Sequence, residues 1–117
     1  MKTLFIINDA PYGTEKMYNA LRLAMALQKE TTDNEVSVFL MADAVTGAIP
    51  NQITAQGYYN IERMFGAVIN KGGKIKLCGT CMDARGMKDI TLIEGAERST
   101  MVELANLTVN ADTVLTF

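Results

Sequence analysis

The chain has 117 residues, 49% of them hydrophobic and 21% charged, with a formal net charge of −2 and no histidine. This length and composition predict one folded domain over residues 1–117, and the scattered charges offer no basic face for nucleic acid. No apolar run approaches the roughly 20 residues of a membrane span, so we expect a cytoplasmic protein without a membrane partner. Without histidine, any chemistry must rest on Cys, Asp, Glu, Lys, Arg or Tyr side chains.

The N-terminal part of the chain predicts a strand, a helix and a second strand. Lys2 to Asn8 is a short, continuous apolar run, which is typical of a strand buried on both faces. Thr14 is placed to cap a following helix, whose apolar side chains recur at the spacing of one helical face. That face consists of Met17, Ala20, Leu21, Ala24 and Leu27. Glu35 to Met41, apolar and partly β-branched, predicts the second strand.

The middle of the chain predicts a long loop, a helix and a third strand. Residues 42–59 contain two glycines and a proline, and loops of this length in small domains are usually functional or form a subunit contact. Asn60 is placed to cap the next helix, and two glycines near residue 72 are placed to end it. Its apolar face consists of Ile61, Met64, Phe65 and Val68. Lys74 to Cys78 predicts the third strand.

A short helix and a fourth strand are predicted next. Thr80 with Asp83 fits the spacing of a helix N-cap, and Gly86 is placed to end that helix after at most two turns. Lys88 to Ile93 predicts a fourth, shorter strand.

A further helix and a last strand complete the chain. Thr100 with Glu103 repeats the capping pattern at the start of a helix. Its apolar face is expected to contain Val102, Ala105 and Val109, widened by Leu104 and Thr108. Residues 112–117 predict the final strand.

Strands that alternate with helices predict an α/β fold, with a mostly parallel sheet of about five strands and helices on both faces. Right-handed crossovers place all the strand-to-helix loops at one edge of such a sheet, where ligands bind. The residues expected at that edge are Asn8, Asp9, Ala42, Asp43 and Cys78.

Both cysteines of the chain, Cys78 and Cys81, lie in the sequence KLCGTCMDARG. Their C-x-x-C spacing is found in zinc sites and in redox sites. A structural zinc site needs four ligands, so only a site shared between subunits would suffice here. The second interpretation is a reversible Cys78–Cys81 disulfide.

A single nucleophilic thiol is the third interpretation. Cys78 ends a predicted strand just before a short helix, whose free N–H groups would stabilise a thiolate and lower the thiol pKa, and Arg85 would add positive charge. Cys78 also fits the description of a small buried residue that ends a core strand. The residues alone leave these interpretations open.

Four segments of the chain together resemble the DsrE/DsrF-like family, and within it the small YchN-type members. The segments are NDAPYGTEKMYNALRLAMAL, VFLMADAV, KLCGTCMDARG and ADTVLTF, and they come in the family's order. The resemblance implies a three-layer α/β/α domain that assembles into homotrimers or homohexamers, with a cysteine at a cleft near a subunit boundary. In sulfur-relay members of the family, this cysteine carries sulfane sulfur as a persulfide.

The resemblance also implies roles for individual residues. Sulfur-carrying members have Arg-Gly seven and eight residues after the cysteine, and Cys78, Arg85 and Gly86 match this spacing. Cys81 lies where those members commonly have alanine, so a second thiol here could turn a Cys78 persulfide into a disulfide and release sulfide. The expected catalytic residues are therefore Cys78, Arg85 and Cys81, without cofactor or metal. From their place at the neighbouring strand ends, and not from the resemblance, Asn8, Asp9, Tyr12 and Asp43 are expected to line the substrate cleft.

Two alternatives to sulfur relay follow from the sequence. The loop and the chain end carry Tyr58, Tyr59 and Phe117, an apolar content that suits a non-catalytic oligomeric binding or scaffold protein. The other alternative is a dithiol redox site formed by Cys78 and Cys81. The expected partners are further copies of the chain and, for a relay, proteins that donate or accept sulfur.

Overall fold

The computed structural model describes residues 1–117 and contains one parallel sheet of five strands. The strands are β1 (Lys2–Ile7), β2 (Glu35–Leu40), β3 (Lys74–Cys78), β4 (Ala96–Ser99) and β5 (Thr113–Thr116). The helices are α1 (Lys16–Glu30), α2 (Ile61–Asn70), α3 (Gly79–Ala84) and α4 (Met101–Asn110), with a 3₁₀ helix at Ala42–Ala48. The strand order is β4-β3-β2-β1-β5, and helices cover both faces of the sheet. The predicted three-layer α/β/α fold is confirmed.

The central strands form because their apolar runs are buried on both sides. Phe5 in β1 and Phe39 in β2 are both fully buried, and β1 and β2 pair in parallel along their whole length. The predicted apolar face of α1 is confirmed for four residues, while Leu27 is half-buried. On α2, Phe65 and its apolar neighbours pack against α1 and β3. This layer fixes β3, the strand that ends in Cys78.

The prediction of β4 was wrong. Residues 88–93 form a turn followed by irregular chain, and the Ile93 N–H donates to the carbonyl of Ala48, which ties this segment to the 3₁₀ helix. The strand is instead Ala96–Ser99, with sequence AERS. As an edge strand it pairs only with β3, so its side chains need no apolar pattern. Hydrophobic periodicity therefore pointed to the wrong segment.

Two of the four predicted helix caps are confirmed. The side chains of Asn60 and Thr100 accept hydrogen bonds from N–H groups in the first turns of α2 and α4. Thr14 is not the N-cap of α1, because that position is Glu15, although the Thr14 hydroxyl accepts from the Lys16 N–H at 3.4 Å and donates to the Asp9 carboxylate. Thr80 does not cap α3 either, because the cap is Cys78.

The predicted apolar face of α4 was wrong except at Leu104. Val102 and Val109 are 72% and 82% exposed, and Leu104 is the one buried side chain of the helix. A groove of about 430 Å³ runs between α4 and the starts of β1, β2 and β3. This face of the molecule therefore carries uncovered apolar side chains.

None of the helices combines the length and apolar character that a membrane crossing requires.

Candidate functional site

Cys78 occupies the junction between a strand and a helix. It is the last residue of β3 and the N-cap of α3, and its Sγ accepts a hydrogen bond from the Cys81 N–H at 3.3 Å. The residue is only 7% exposed. Because Cys78 is the last residue of β3, the sulfur lies at the carboxyl edge of the sheet, where parallel α/β folds bind ligands.

Cys81 lies one helical turn further on and is half-buried. Its Sγ accepts a hydrogen bond from the N–H of Ala42 at 3.2 Å. Ala42 has φ of 49°, in the left-handed region that costs a non-glycine residue about 1 to 2 kcal/mol. Ala42 thus keeps an uncommon backbone conformation at the position where its N–H donates to the Cys81 sulfur.

Arg85 connects α3 to the chain segment after β2. Its Nε donates to the Asp43 carboxylate at 2.9 Å, and its Nη1 donates to the carbonyl of Cys81 at 3.0 Å. Arg85 therefore contacts the backbone of the second cysteine rather than a sulfur atom. Gly86 follows with φ of 68°, a conformation that glycine adopts without strain at a helix end.

Arg98 is a site residue that the sequence did not reveal. Its guanidinium binds both carboxylate oxygens of Asp83, at 2.7 and 2.9 Å, which joins β4 to α3. It also lies against Gly79, where an added Cβ would be 2.9 Å from Cζ of Arg98. The Arg98 hydrogen bonds lower the pKa of Asp83. The glycine after Cys78 was a possible sign that another group lies close to the backbone there. To identify that group as Arg98, one must first know the position of β4.

Burial controls the acidity of Cys78. It raises the pKa of the Cys78 thiol, and a hydrogen bond with the side chain of Cys81 raises this pKa further. The backbone N–H groups of Cys81 and Thr80 act in the opposite direction but do not reverse the result. The helix N–H groups were expected to lower the pKa of Cys78, and in the folded chain desolvation outweighs them.

The expected cleft residues divide into two groups. Asp43 is bonded to α3 through Arg85. Asp9 instead pairs with Lys16 and accepts from Thr14, and the Asn8 amide approaches the carbonyl of Phe117. These contacts organise the ends of β1 and β5.

Tyr12 belongs to a cluster that contains all four tyrosines of the chain. Its hydroxyl accepts from the Ile61 N–H at 3.2 Å, and its ring stacks on Tyr59. Burial raises the pKa of Tyr59. The cluster holds the loop before α2 against the loop after β1, so these contacts of Tyr12 are structural.

Comparison with known proteins places this geometry in a family. The sequence matches the DsrE/DsrF-like family over residues 1–117. The chain belongs to the DsrE/DsrF-like family. Among its relatives, Protein YchN of Escherichia coli strain K12 is 44% identical over 116 residues, which span 99% of this chain and 98% of YchN. An uncharacterized protein of Methanocaldococcus jannaschii is 39% identical over the whole of both chains.

Solved structures of similar proteins agree with the DsrE/DsrF-like fold. The crystal structure of YchN from E. coli superimposes with a TM-score of 0.95 and covers 100% of this chain and 99% of YchN. A protein of unknown function from Methanobacterium thermoautotrophicum gives a TM-score of 0.81 at 12% identity, covering 99% and 98% of the two chains. The second likeness concerns the fold alone.

The donor set around the cysteines is small. The chain contains no group of three or more Cys, Asp or Glu side chains arranged to hold a metal ion. The two sulfurs, two backbone N–H groups and the Arg85–Asp43 and Arg98–Asp83 pairs make up the polar surroundings of the site. Thiolates with N–H donors are suited to attack sulfur, which is soft and easily displaced from another thiol.

Proposed function

We propose that this chain is a sulfur-relay protein that holds sulfane sulfur as a persulfide on Cys78. The observation that carries the proposal is the position of Cys78 Sγ, shielded at a strand end and hydrogen-bonded to the Cys81 N–H. Membership of the DsrE/DsrF-like family supports it.

The transfer requires no cofactor. A cysteine thiolate of the site attacks the outer sulfur of a donor persulfide R–S–SH, a new S–S bond forms, and the donor S–S bond breaks. The donor leaves as a thiolate, which takes up the proton that the attacking cysteine gave up. Delivery to an acceptor thiol repeats the same exchange in the other direction.

The relay is proposed to operate in a homo-oligomer. The surface of α4 exposes three large apolar side chains, Met101, Val102 and Val109. Exposed apolar patches on a soluble protein are typical of contact sites with another protein. A second copy of the chain would cover this apolar surface.

Retention of sulfur tests the relay. The protein is loaded with glutathione persulfide, freed of donor, and incubated with glutathione, and its intact mass is then measured. We expect one added sulfur atom, assigned to Cys78 by fragment ions, and none retained in Cys78→Ala. Thr80→Ala, which alters an exposed residue between the cysteines, is the control and should retain sulfur normally. A wild-type protein that retains no sulfur would refute the relay.

A dithiol redox function is the second candidate, because the two free thiols lie in one helical turn. A small disulfide would oxidise them to a Cys78–Cys81 disulfide and be released as two thiols. Titration in glutathione redox buffers distinguishes the candidates. A stable, reversible disulfide together with no retained sulfane sulfur would favour this function over the relay.

A further inference from the structure

The two thiols of the site differ in exposure and in hydrogen bonding. Cys78 is buried, and its N–H donor comes from its own helix. Cys81 is less buried, and its donor is Ala42, which belongs to the segment after β2. Cys78 caps α3 and Cys81 lies in the first turn of that helix, so the Cys78 sulfur, which accepts from the Cys81 N–H, lies close to the second thiol.

We propose that Cys81 is the receiving thiol, which takes sulfane sulfur from the donor and passes it to Cys78. This inference rests on the proposed function and assigns the two cysteines different steps of it. Cys81 is thereby a catalytic residue, and Cys78 is the storage position.

The first step is favoured at Cys81 by access and by charge. A donor persulfide reaches the less buried sulfur more readily. The Ala42 N–H stabilises negative charge on Cys81 Sγ. Burial raises the pKa of Cys78, which makes its sulfur the less available nucleophile for the first attack. The Cys81 thiolate attacks the outer sulfur of R–S–SH, the donor S–S bond breaks, and the donor thiolate leaves.

The second step moves the sulfur inward. Cys78 loses its proton and attacks the outer sulfur of the Cys81 persulfide. A Cys78–sulfur bond forms, the bond to Cys81 Sγ breaks, and Cys81 regains a proton. The sum converts a Cys81 persulfide and a Cys78 thiol into a Cys81 thiol and a Cys78 persulfide, with no oxidant or reductant. Burial then shields the stored sulfur from other thiols.

Attack on the inner sulfur would have a different product. If Cys78 attacked Sγ of the Cys81 persulfide, a Cys78–Cys81 disulfide would form and sulfide would leave. Sulfide released in one equivalent with the loading of wild-type protein would therefore contradict the inward transfer.

Time-resolved loading tests the proposal. The protein is mixed with glutathione persulfide, quenched with iodoacetamide at short intervals, and digested with trypsin. Cleavage after Lys76 and Arg85 leaves both cysteines on one peptide, so fragment ions must assign the sulfur. We expect it first on Cys81 and later on Cys78.

Variants separate the two steps. In Cys81→Ser, the serine oxygen can still accept from Ala42 but cannot carry sulfur, so loading of Cys78 should slow severalfold because the donor must reach the more buried sulfur directly. Cys81→Ala should slow it equally. Cys78→Ala should load Cys81 at near the wild-type rate but lose the sulfur to glutathione.

Three further results would overturn the proposal. Loading of Cys78 at the wild-type rate in both Cys81 variants would remove Cys81 from the route and leave the relay intact. First appearance of sulfur on Cys78 would do the same. Failure of wild-type protein to load at all would refute the relay itself, and the inference with it.

Discussion

The turn before β3 offers a test of how the packing supports the strand that carries Cys78. In Gly73→Ala, the new Cβ would lie 2.5 Å from Cγ1 and 2.7 Å from the carbonyl oxygen of Val68. It would also lie 2.9 Å from Nε2 of Gln28, which donates to that same carbonyl. The clash involves backbone at the end of α2, so a side-chain rotation does not relieve it.

The magnitude follows from these contacts. Overpacking costs about 1 to 3 kcal/mol, and loss of the Gln28 hydrogen bond adds about 1 kcal/mol. We expect Gly73→Ala to lower the free energy of unfolding by about 2 to 4 kcal/mol. For a chain of this length, the Tm should fall by roughly 10 °C.

Gly66→Ala is the matched control. Gly66 lies within α2 and has open space around the position of an added Cβ. Alanine in a helix is favoured over glycine by about 0.5 to 1 kcal/mol, so this variant should be stabilised. The same substitution is therefore expected to change stability in opposite directions at two sites only seven residues apart.

Urea unfolding followed by circular dichroism, at one protein concentration, measures both variants. Equal slopes of the free energy against urea would show that the variants unfold as the wild type does. A Gly73→Ala protein within about 1 kcal/mol of wild type, with an unchanged slope, would refute the packing argument.

Three further predictions concern the site and the surface of α4. Because its pKa is raised in the folded chain, the Cys78 thiol holds its proton more tightly in the folded than in the unfolded protein. The stability that this thiol contributes is complete below about pH 8.5 and is lost as the pH rises through the raised pKa of the folded state. Urea unfolding between about pH 7.5 and pH 10 should show a smaller loss in Cys78→Ala than in wild type, and equal losses would contradict this assignment. Ala42→Gly should raise the free energy of unfolding by about 0.5 kcal/mol, since relief of left-handed strain outweighs the greater chain entropy of glycine, and a lower value would be inconsistent with that strain. Val109→Asp should reduce the mass measured by light scattering without changing the circular dichroism, and an unchanged oligomer would exclude this face as the subunit contact.

The sequence was most informative where a residue's surroundings are local or fully apolar. The runs of β1 and β2 identify buried strands because both faces of each strand are covered. Asn60 and Thr100 identify helix starts because a cap bonds to N–H groups only three residues away. The position of Cys78 at the carboxyl edge then follows from the parallel order of strands.

The sequence was least informative where a partner is distant along the chain. Arg98 lies near Asp83 of α3 because β4 pairs with β3. The composition of an edge strand does not predict that pairing. The valines of α4 have helical spacing but face outward, because periodicity indicates an apolar face and does not say what covers it. The contact between Ala42 and Cys81 joins residues 39 positions apart and depends on one unusual backbone angle.

The sulfur atom of Cys78 has both a structural and a proposed chemical role. The Cys78 sulfur caps α3, and in the proposed relay it is also the atom to which the cargo is attached. A chemical change at that sulfur must alter the free energy of the first turn of α3, because an N-cap is worth about 1 kcal/mol. Thermodynamic reciprocity then requires that a partner which binds and orders this turn also changes how tightly the sulfur is held. Binding of an acceptor protein to the first turn of α3 would thus change how readily the sulfur is released, before the acceptor thiol reaches the persulfide.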